Sequence, residues 1–279
     1  MDTHETNNEQ AALWNGVSGR AWVDAQQALD RLFAPFEDLL VSAVTAASAR
    51  TVLDVGCGTG STTLAVARRL GGNGRSVGID ISAPMLALAR ARAEAEHLPA
   101  QFICADAERY AFEPALFDAF ISRFGVMFFE RPVDAFANLR RAAQPGATLH
   151  LIAWRSPADN PFMTTAERAA APLLSDLPPR KADAPGQFAF ANRDRVHTIL
   201  QDSGWREIAL DPIDVNCTMP RRDLEQYVTR LGPVGLVLQN ADETTRARIV
   251  ETVLSAFDAY MHGEEVRFTA ACWMIGGRA

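Results

Sequence analysis

The segment Val52-Leu53-Asp54-Val55-Gly56-Cys57-Gly58-Thr59-Gly60 constrains the fold of this chain more than any other. A short β-branched and apolar run enters an alternating series of glycines, and a helical pattern, Ser61–Leu70, leaves them. Glycine is needed where the backbone takes unusual dihedrals, or where a ligand must approach it with no Cβ in the way. The segment therefore predicts a buried strand, a tight turn with a ligand over it, and a helix.

The surrounding sequence extends this unit. Between Arg50 and Trp154 short apolar runs alternate with helical patterns, the signature of a parallel sheet covered on both faces and hence of an α/β, doubly wound fold. The expected strands are Thr51–Val55, Ser76–Asp80, Ala100–Ala105, Phe117–Ser122 and Thr148–Trp154. Helices are expected over Ser61–Leu70, Ala83–Glu96 and Pro132–Ala143, the last stopped by Gln144-Pro145-Gly146. Met1–Gln10 is polar and aperiodic and reads as a flexible tail. Residues 11–49 carry Leu29, Leu32, Phe33, Phe36, Leu39, Leu40 and Val44 at helical spacing, an N-terminal helical extension of two or three helices. Residues 50–279 read as the main domain. It carries lid insertions at about 155–191 and 222–260, separated by a helix near Arg193–Ser203 and a strand near Arg206–Val215, and ends in a β-rich segment, Val266–Ile275.

Charge and cysteine usage exclude several functions. The net charge is −7, Lys181 is the only lysine, and the arginines sit mostly beside Asp or Glu, so no basic face for nucleic acid is expected. Cys57, Cys104, Cys217 and Cys272 are far apart, with no C-x-x-C pair and no histidine at ligand spacing, so neither a metal site nor a disulfide framework is expected. A reduced, cytoplasmic location fits. No early segment resembles a signal peptide, and no uncharged apolar run approaches the roughly 18 residues of a membrane span. The oligomeric state is not legible.

The glycine turn alone does not separate dinucleotide binding from other nucleotide sites. Two details do. A dinucleotide fingerprint places Gly or Ala three residues after Gly58, where this chain has Ser61. Asp54 sets a carboxylate at the mouth of the turn, where it repels a pyrophosphate and attracts a ligand bearing an ammonium and a sulfonium. The lysine of a phosphate-binding loop is also missing. Asp80, at the tip of the second strand, is placed to accept both hydroxyls of an adenosine ribose, because Ser82 before Ala83-Pro84 already supplies the next helix cap. Asp106, at the tip of the third strand, reads either as an acceptor for the adenine amino group, with the Ala107 N–H donating to the ring, or as a loop-capping aspartate. Three successive strand tips thus carry acids.

Together these elements resemble the class I, Rossmann-like S-adenosylmethionine (SAM)-dependent methyltransferases, in particular the ubiquinone/menaquinone-biosynthesis-like and natural-product group. The likeness covers about residues 50–154. It rests on V-L-D-V-G-C-G-T-G, Asp80, Asp106, Phe117-Asp118-Ala119-Phe120-Ile121-Ser122-Arg123 and Leu139-Arg140-Arg141-Ala142-Ala143-Gln144-Pro145-Gly146. The resemblance implies a seven-stranded, mostly parallel sheet with an antiparallel last strand, and SAM as cofactor across the carboxyl ends of the first four strands. It implies Asp54, Gly56 and Gly58 around the methionine moiety, Asp80 on the ribose, Ile81 and Met85 flanking adenine, and Asp106 and Ala107 at its edge. The backbone of Ser122 or Arg123 would face the methionine ammonium. The N/D-P-P-Y/F signature of many DNA and protein-amide N-methyltransferases is absent after Ser122, which disfavours a base as acceptor and leaves a small molecule.

The N-terminal extension carries Trp14, Arg20, Trp22 and Gln26. In the resembling enzymes such helices fold over the cofactor, so Trp22 is the expected aromatic contact, against ordinary packing. Methyl transfer from a sulfonium is an in-line displacement that mainly requires alignment and desolvation. A general base is optional. Groups expected near the acceptor are Arg123, Trp154 and Asn160, with Arg155 and Phe162 beside them, and Met163, Phe188, Phe190, Tyr227, Leu231 and Met261 are possible pocket lining. His150 is expected to be structural, and His197 and His262 carry no assignment. Two rivals stand beside this reading: a SAM-binding protein without catalysis, and an NAD(P)-dependent oxidoreductase, which Asp54 and Ser61 oppose.

Overall fold

The computed structural model describes residues 3–174 and 184–279, with side chains from Glu9 onward. Part of the first insertion, with Lys181, lies outside the described residues. The chain runs α1 (Thr3–Asn15), α2 (Val17–Asp24), α3 (Gln26–Ala46), β1 (Thr51–Val55), α4 (Ser61–Leu70), β2 (Arg75–Asp80), α5 (Ala83–Ala95) and β3 (Ala100–Cys104). It continues with β4 (Phe117–Arg123), α6 (Pro132–Ala142), β5 (Ala143–Trp154), α7 (Pro161–Ala170), α8 (Arg193–Asp202) and β6 (Arg206–Pro220). It ends with α9 (Leu224–Arg230), α10 (Gly232–Leu238), α11 (Glu243–Ala256), β7 (Met261–His262) and β8 (Glu265–Arg278).

Among the described residues one sheet holds every strand, in the order β3-β2-β1-β4-β5-β8-β6. The β1–β5 pairs are parallel, and β8 runs antiparallel to both β5 and β6, so the final strand is reversed as expected. The count among the described residues is eight, not seven: β7 pairs β8 off the main path, His262 against Glu265. Gly263 makes this hairpin, its φ of +64° supplying the left-handed residue that a two-residue turn needs.

Strands β5, β6 and β8 outrun the apolar patterns that announced them. The β6–β8 ladder runs from Arg206↔Arg278 to Pro220↔Glu265, past the point where its residues turn polar, because backbone pairing continues after one face has met water. The helical stretch after β6 is interrupted. Gly232, at φ +70°, starts α10 with a proline behind it, and Asp242 caps α11 by accepting the Thr245 N–H at 3.0 Å. Helix α1 begins within the segment read as a tail.

Helix α3 buries Leu29, Leu32, Phe33, Phe36, Leu40 and Val44, one stripe at helical spacing, and packs against α4, β4, β5 and β6. β1 and β4 are almost wholly buried between the helical layers. The order 3-2-1-4-5 reverses direction between β1 and β4, and at such a switch point the flanking connections diverge at the carboxyl ends, where open α/β sheets receive their ligands. Among the described residues no helix is long and apolar enough to cross a membrane.

Candidate functional site

The glycine turn stands at this switch point, in the connection that leaves β1. The N–H groups of Gly56 and Cys57 both donate to the Ile79 carbonyl, at 2.9 and 3.1 Å, and Gly60 donates to Cys57 at 2.9 Å, drawing the turn back over β2. Gly56, Gly58 and Gly60 have φ of +69°, +55° and +84°, conformations that L side chains rarely adopt. Crowding adds to this: a Cβ on Gly56 would stand 2.6 Å from the Gly125 Cα, and one on Gly58 would stand 2.7 Å from the Met85 Cε. Ser122 stitches the opposite wall to the turn. Its hydroxyl donates to the Val55 carbonyl at 2.7 Å and accepts from the N–H groups of Gly125 and Val126, at 3.2 and 3.3 Å.

The three acids stand at the tips of β1, β2 and β3. Asp54 is buried, accepts the Thr63 hydroxyl at 2.7 Å, and has its pKa pushed up to about 6, chiefly by burial, while Thr63 and Arg123 pull the other way. Asp80 accepts from the Gly58 N–H with one oxygen and from the Ser82 N–H with the other, each at 2.8 Å. Burial raises its pKa and these backbone donors oppose the rise. Each of its oxygens retains a further lone pair for a ligand hydroxyl. The Ala105 N–H donates to the Asp80 carbonyl at 3.0 Å, which carries the β2–β3 register on to Asp106. Asp106 accepts the Glu108 N–H at 2.9 Å, so its loop-capping role is real, and the Ala107 carbonyl is held by Asn138 at 2.9 Å.

Helix α3 lies across the turn and brings charges to it. Glu37 accepts the Ser61 hydroxyl at the start of α4. Asp30 pairs with Arg92 of α5 at 2.6 Å, and Arg92 also donates to the Thr59 carbonyl at 2.7 Å, so α3, α5 and the turn are clasped together. Arg123, the last residue of β4, lies 5.8 Å from the centroid of the Phe33 ring. Burial lowers its pKa, opposed by Asp30, Glu37 and Asp54. Its Nη1 is buried and has no hydrogen-bond partner among the described residues.

The first two helices cover the β2 side. Asn15 donates to the Ile81 carbonyl at 3.0 Å and accepts the Ala83 N–H at 2.8 Å. The Ser82 hydroxyl donates to the Trp14 carbonyl at 2.6 Å while capping α5 as the sequence indicates. Trp14 packs edge-on against Phe128, 5.0 Å between centroids, and against Trp22, 6.2 Å. Trp22 thus sits in the cover of the site as an aromatic packed on another aromatic, with Ile81 and the buried Met85 beneath the same helices.

The acceptor-side candidates divide. Trp154 is buried and stacks on Phe124 at 4.6 Å and 11°, against Phe33 and Phe36 of α3. Phe124 takes a φ of +67°, strained for a non-glycine residue, directly after Arg123. Asn160 is engaged in the framework: its amide donates to the Ala271 carbonyl at 2.9 Å and to the Ser156 carbonyl at 3.1 Å and accepts the Ala271 N–H at 2.9 Å, pinning β8. Phe190 packs on Phe136, and Tyr227 donates to the Met163 sulfur at 3.3 Å, contacts of ordinary packing. His150 is on β5, with its Nε2 buried and unpartnered among the described residues and its pKa lowered by burial and by Arg278.

Sequence reasoning missed Asn15, Asp30, Phe33, Glu37, Arg92 and Phe124. Asp30 and Glu37 did leave a signal. They lie two helical turns apart beside the buried Phe33 stripe, where an amphipathic helix has no use for charge unless something polar faces it.

Residues 52–146 match the model of a methyltransferase domain. The demethylmenaquinone methyltransferase of Thermus thermophilus is 35% identical over 113 residues, covering 40% of this chain and 51% of the relative. The 2-phytyl-1,4-naphtoquinone methyltransferase of Trichormus variabilis is 31% identical over 116 residues, covering 41% and 51%. The chain thus spans about half the length of these curated relatives. The solved structure of the YcgJ protein of Bacillus subtilis superposes with a TM-score of 0.54 at 16% identity, covering 87% of this chain and 97% of that one, a likeness of fold.

Proposed function

We propose that this chain, whose residues 52–146 form a class I, Rossmann-like methyltransferase domain, transfers the methyl group of S-adenosylmethionine to a nucleophile of a small molecule. The observation that carries the reading is the Asp80 carboxylate, which braces Gly58 and Ser82 at 2.8 Å and still offers a lone pair on each oxygen at the mouth of the glycine turn. The residues fit the cofactor. The positive φ of Gly56 and Gly58 leaves backbone with no Cβ, Asp54 and Glu37 complement an ammonium and a sulfonium, and the Arg123 Nη1 is a buried donor awaiting an acceptor.

In this reading Asp54, Gly56, Gly58, Ser122 and Arg123 hold the methionine end, Asp80 the ribose, and Ile81, Met85, Asp106 and Ala107 the adenine. Trp22, through Trp14, helps to close the cover. When bound, S-adenosylmethionine supplies an electrophilic methyl group on a sulfonium. The protein's own part is to exclude water and fix the direction of approach. The α3 clasp of Asp30, Arg92 and Glu37 and the aromatic floor of Phe33, Phe124 and Trp154 serve both ends. Residues 50–279 act as one domain, with 222–260 and the described parts of 155–191 as its lid.

The quinone names of the relatives and the aromatic floor support an aromatic or otherwise uncharged small molecule as acceptor. The acidic balance of the chain, net −7, argues against nucleic acid. Cys57, Cys104, Cys217 and Cys272 are all free thiols, which supports a reducing, cytoplasmic setting.

Calorimetric titration with S-adenosylmethionine and S-adenosylhomocysteine tests this, beside Asp80→Ala. Micromolar binding by the wild type, weakened about 10–100-fold in the variant by loss of charge-assisted hydrogen bonds, supports the reading. A wild type with no affinity for either ligand sinks it.

A further inference from the structure

The site holds two guanidinium groups with opposite circumstances. Arg92 is committed, to Asp30 at 2.6 Å and to the Thr59 carbonyl at 2.7 Å. Arg123 is not: its Nη1 is enclosed without a hydrogen-bond partner among the described residues, although Asp30, Glu37 and Asp54 all act on it through space. A buried donor left unmade costs more than a typical hydrogen bond contributes, so such a group persists where a ligand completes it.

Its position identifies which part of a ligand that is. Asp54 is in register with Ile121, two residues before Arg123 on β4, so the Arg123 backbone stands two residues beyond the level of Asp54, where β1 gives way to the glycine turn, and Asp54 acts on its guanidinium through space. Ile121 and Arg123 share one face of β4, the face on which Phe33 of α3 lies 5.8 Å from the Arg123 guanidinium. Asp54 and Glu37 already supply negative charge for an ammonium here. An amino-acid headgroup carries a second charge of opposite sign, and among the described residues Arg123 is a cation at the site with a buried donor to spare.

Resting on the cofactor reading above, we propose that the Arg123 side chain receives the α-carboxylate of the cofactor's methionine moiety and so makes the site selective for adenosyl ligands that carry the complete headgroup. This assigns to the side chain a role distinct from the backbone contact expected at that residue. It is a binding and specificity role: no bond is made or broken at Arg123.

The test compares three ligands on three proteins by calorimetry. The ligands are S-adenosylhomocysteine, its decarboxylated analogue, which keeps the ammonium, and methylthioadenosine, which lacks the headgroup. The proteins are the wild type, Arg123→Met and Arg123→Lys. The wild type is expected to prefer S-adenosylhomocysteine to the decarboxylated analogue by about 10–100-fold, the range of a charge-assisted pair. Arg123→Met is expected to abolish that preference while methylthioadenosine binds within about twofold of the wild type, and Arg123→Lys to keep part of the preference as a point charge without the fork. Equal weakening of all three ligands in both variants, or a preference that survives Arg123→Met, overturns the assignment. Should Arg123→Met fail to fold, Arg123→Lys alone decides, by whether the ratio of affinities falls. A wild type that binds none of the three overturns the cofactor reading itself, whereas binding without the expected ratios overturns only the role of Arg123.

Discussion

Gly56 and Gly125 meet backbone to backbone: a Cβ on Gly56 would stand 2.6 Å from the Gly125 Cα, and one on Gly125 would stand 2.7 Å from the Gly56 Cα. The turn after β1 and the loop after β4 therefore approach as closely as two chains can. Gly58, two residues on, would meet only the end of the Met85 side chain, at 2.7 Å. Both have positive φ, so alanine at either costs about 1–2 kcal/mol in backbone strain. At Gly56 the opposing atoms are main chain and cannot swing aside, whereas at Gly58 a methionine can. Gly56→Ala is expected to lower the melting temperature clearly more than Gly58→Ala, which should fold and instead lose ligand affinity. Thermal denaturation of the two variants beside titration with S-adenosylhomocysteine checks the order, and equal melting temperatures would contradict it.

Asp54 gives the site a pH dependence of two opposite signs. Its pKa is raised from the ordinary carboxylate value to about 6 in the folded chain. Its contribution to stability is therefore complete below the unfolded value and is lost as pH rises toward and through 6, by about 3 kcal/mol in order of magnitude. Asp54→Asn should accordingly gain on the wild type in unfolding free energy between pH 4 and pH 7. Affinity for a cationic ligand runs the other way, because only the ionised carboxylate attracts it. Wild-type affinity for S-adenosylmethionine should fall as pH drops through about 6, and the variant should bind weakly with a flatter profile. Asp80, whose pKa is also raised, belongs to the same site and supplies the residual slope. Urea denaturation and titration across this range measure both, and parallel profiles for wild type and variant would remove Asp54 as the cause.

The sequence made most of the sheet legible because β1, β2 and β4 are largely buried on both faces and read as apolar runs, with an acid at or near the tip: Asp54 is the last residue but one of β1, Asp80 ends β2, and Asp106 lies two residues past β3. Asp54, Asp80 and Asp106 fall where the pattern put them. The short β7 was invisible, since two residues carry no period. What the pattern could not reveal was pairing across the fold. Asp30 finds Arg92, and Asn15 finds Ile81 and Ala83, only after α1–α3 have packed over the site. Asn160 shows the converse: a polar residue just beyond β5 is in the right place in sequence for a substrate contact, and its amide is spent on Ala271.

That expenditure is measurable. Asn160 is 1% exposed and satisfies both the N–H and the carbonyl of Ala271, where β8 runs between β5 and β6. Asn160→Ala leaves the buried Ala271 N–H without its partner, while the Ala271 carbonyl keeps the Arg155 N–H at 3.0 Å, a loss of about 1–3 kcal/mol at the cost of one such group. The melting temperature should fall well below that of the wild type. Affinity for S-adenosylhomocysteine, measured at a temperature where the variant is folded, should stay within about threefold, since an amide spent on β8 contributes little to a ligand. A variant of normal stability with a raised KM for an acceptor would return Asn160 to the active site.

The clasp between Asp30 and Arg92 admits a sharper measurement, because the pair and the Thr59 carbonyl share one guanidinium. Both side chains are about one-fifth exposed, at 19% for Arg92 and 21% for Asp30, so solvent screens the pair and its coupling should be modest, about 0.5–1.5 kcal/mol. Asp30→Asn removes the charge and leaves Arg92 on Thr59. Arg92→Met removes both contacts and frees the turn from α5, so it should cost more stability and more ligand affinity than Asp30→Asn. The double variant should be no worse than Arg92→Met alone, since once the guanidinium is gone the carboxylate has nothing left to lose there. A double-mutant cycle in denaturant, with titration of S-adenosylhomocysteine on each corner, reads this directly. Strictly additive losses would mean that Asp30 and Arg92 act separately, and that α3 is held over the turn by Glu37 and its apolar stripe rather than by the ion pair.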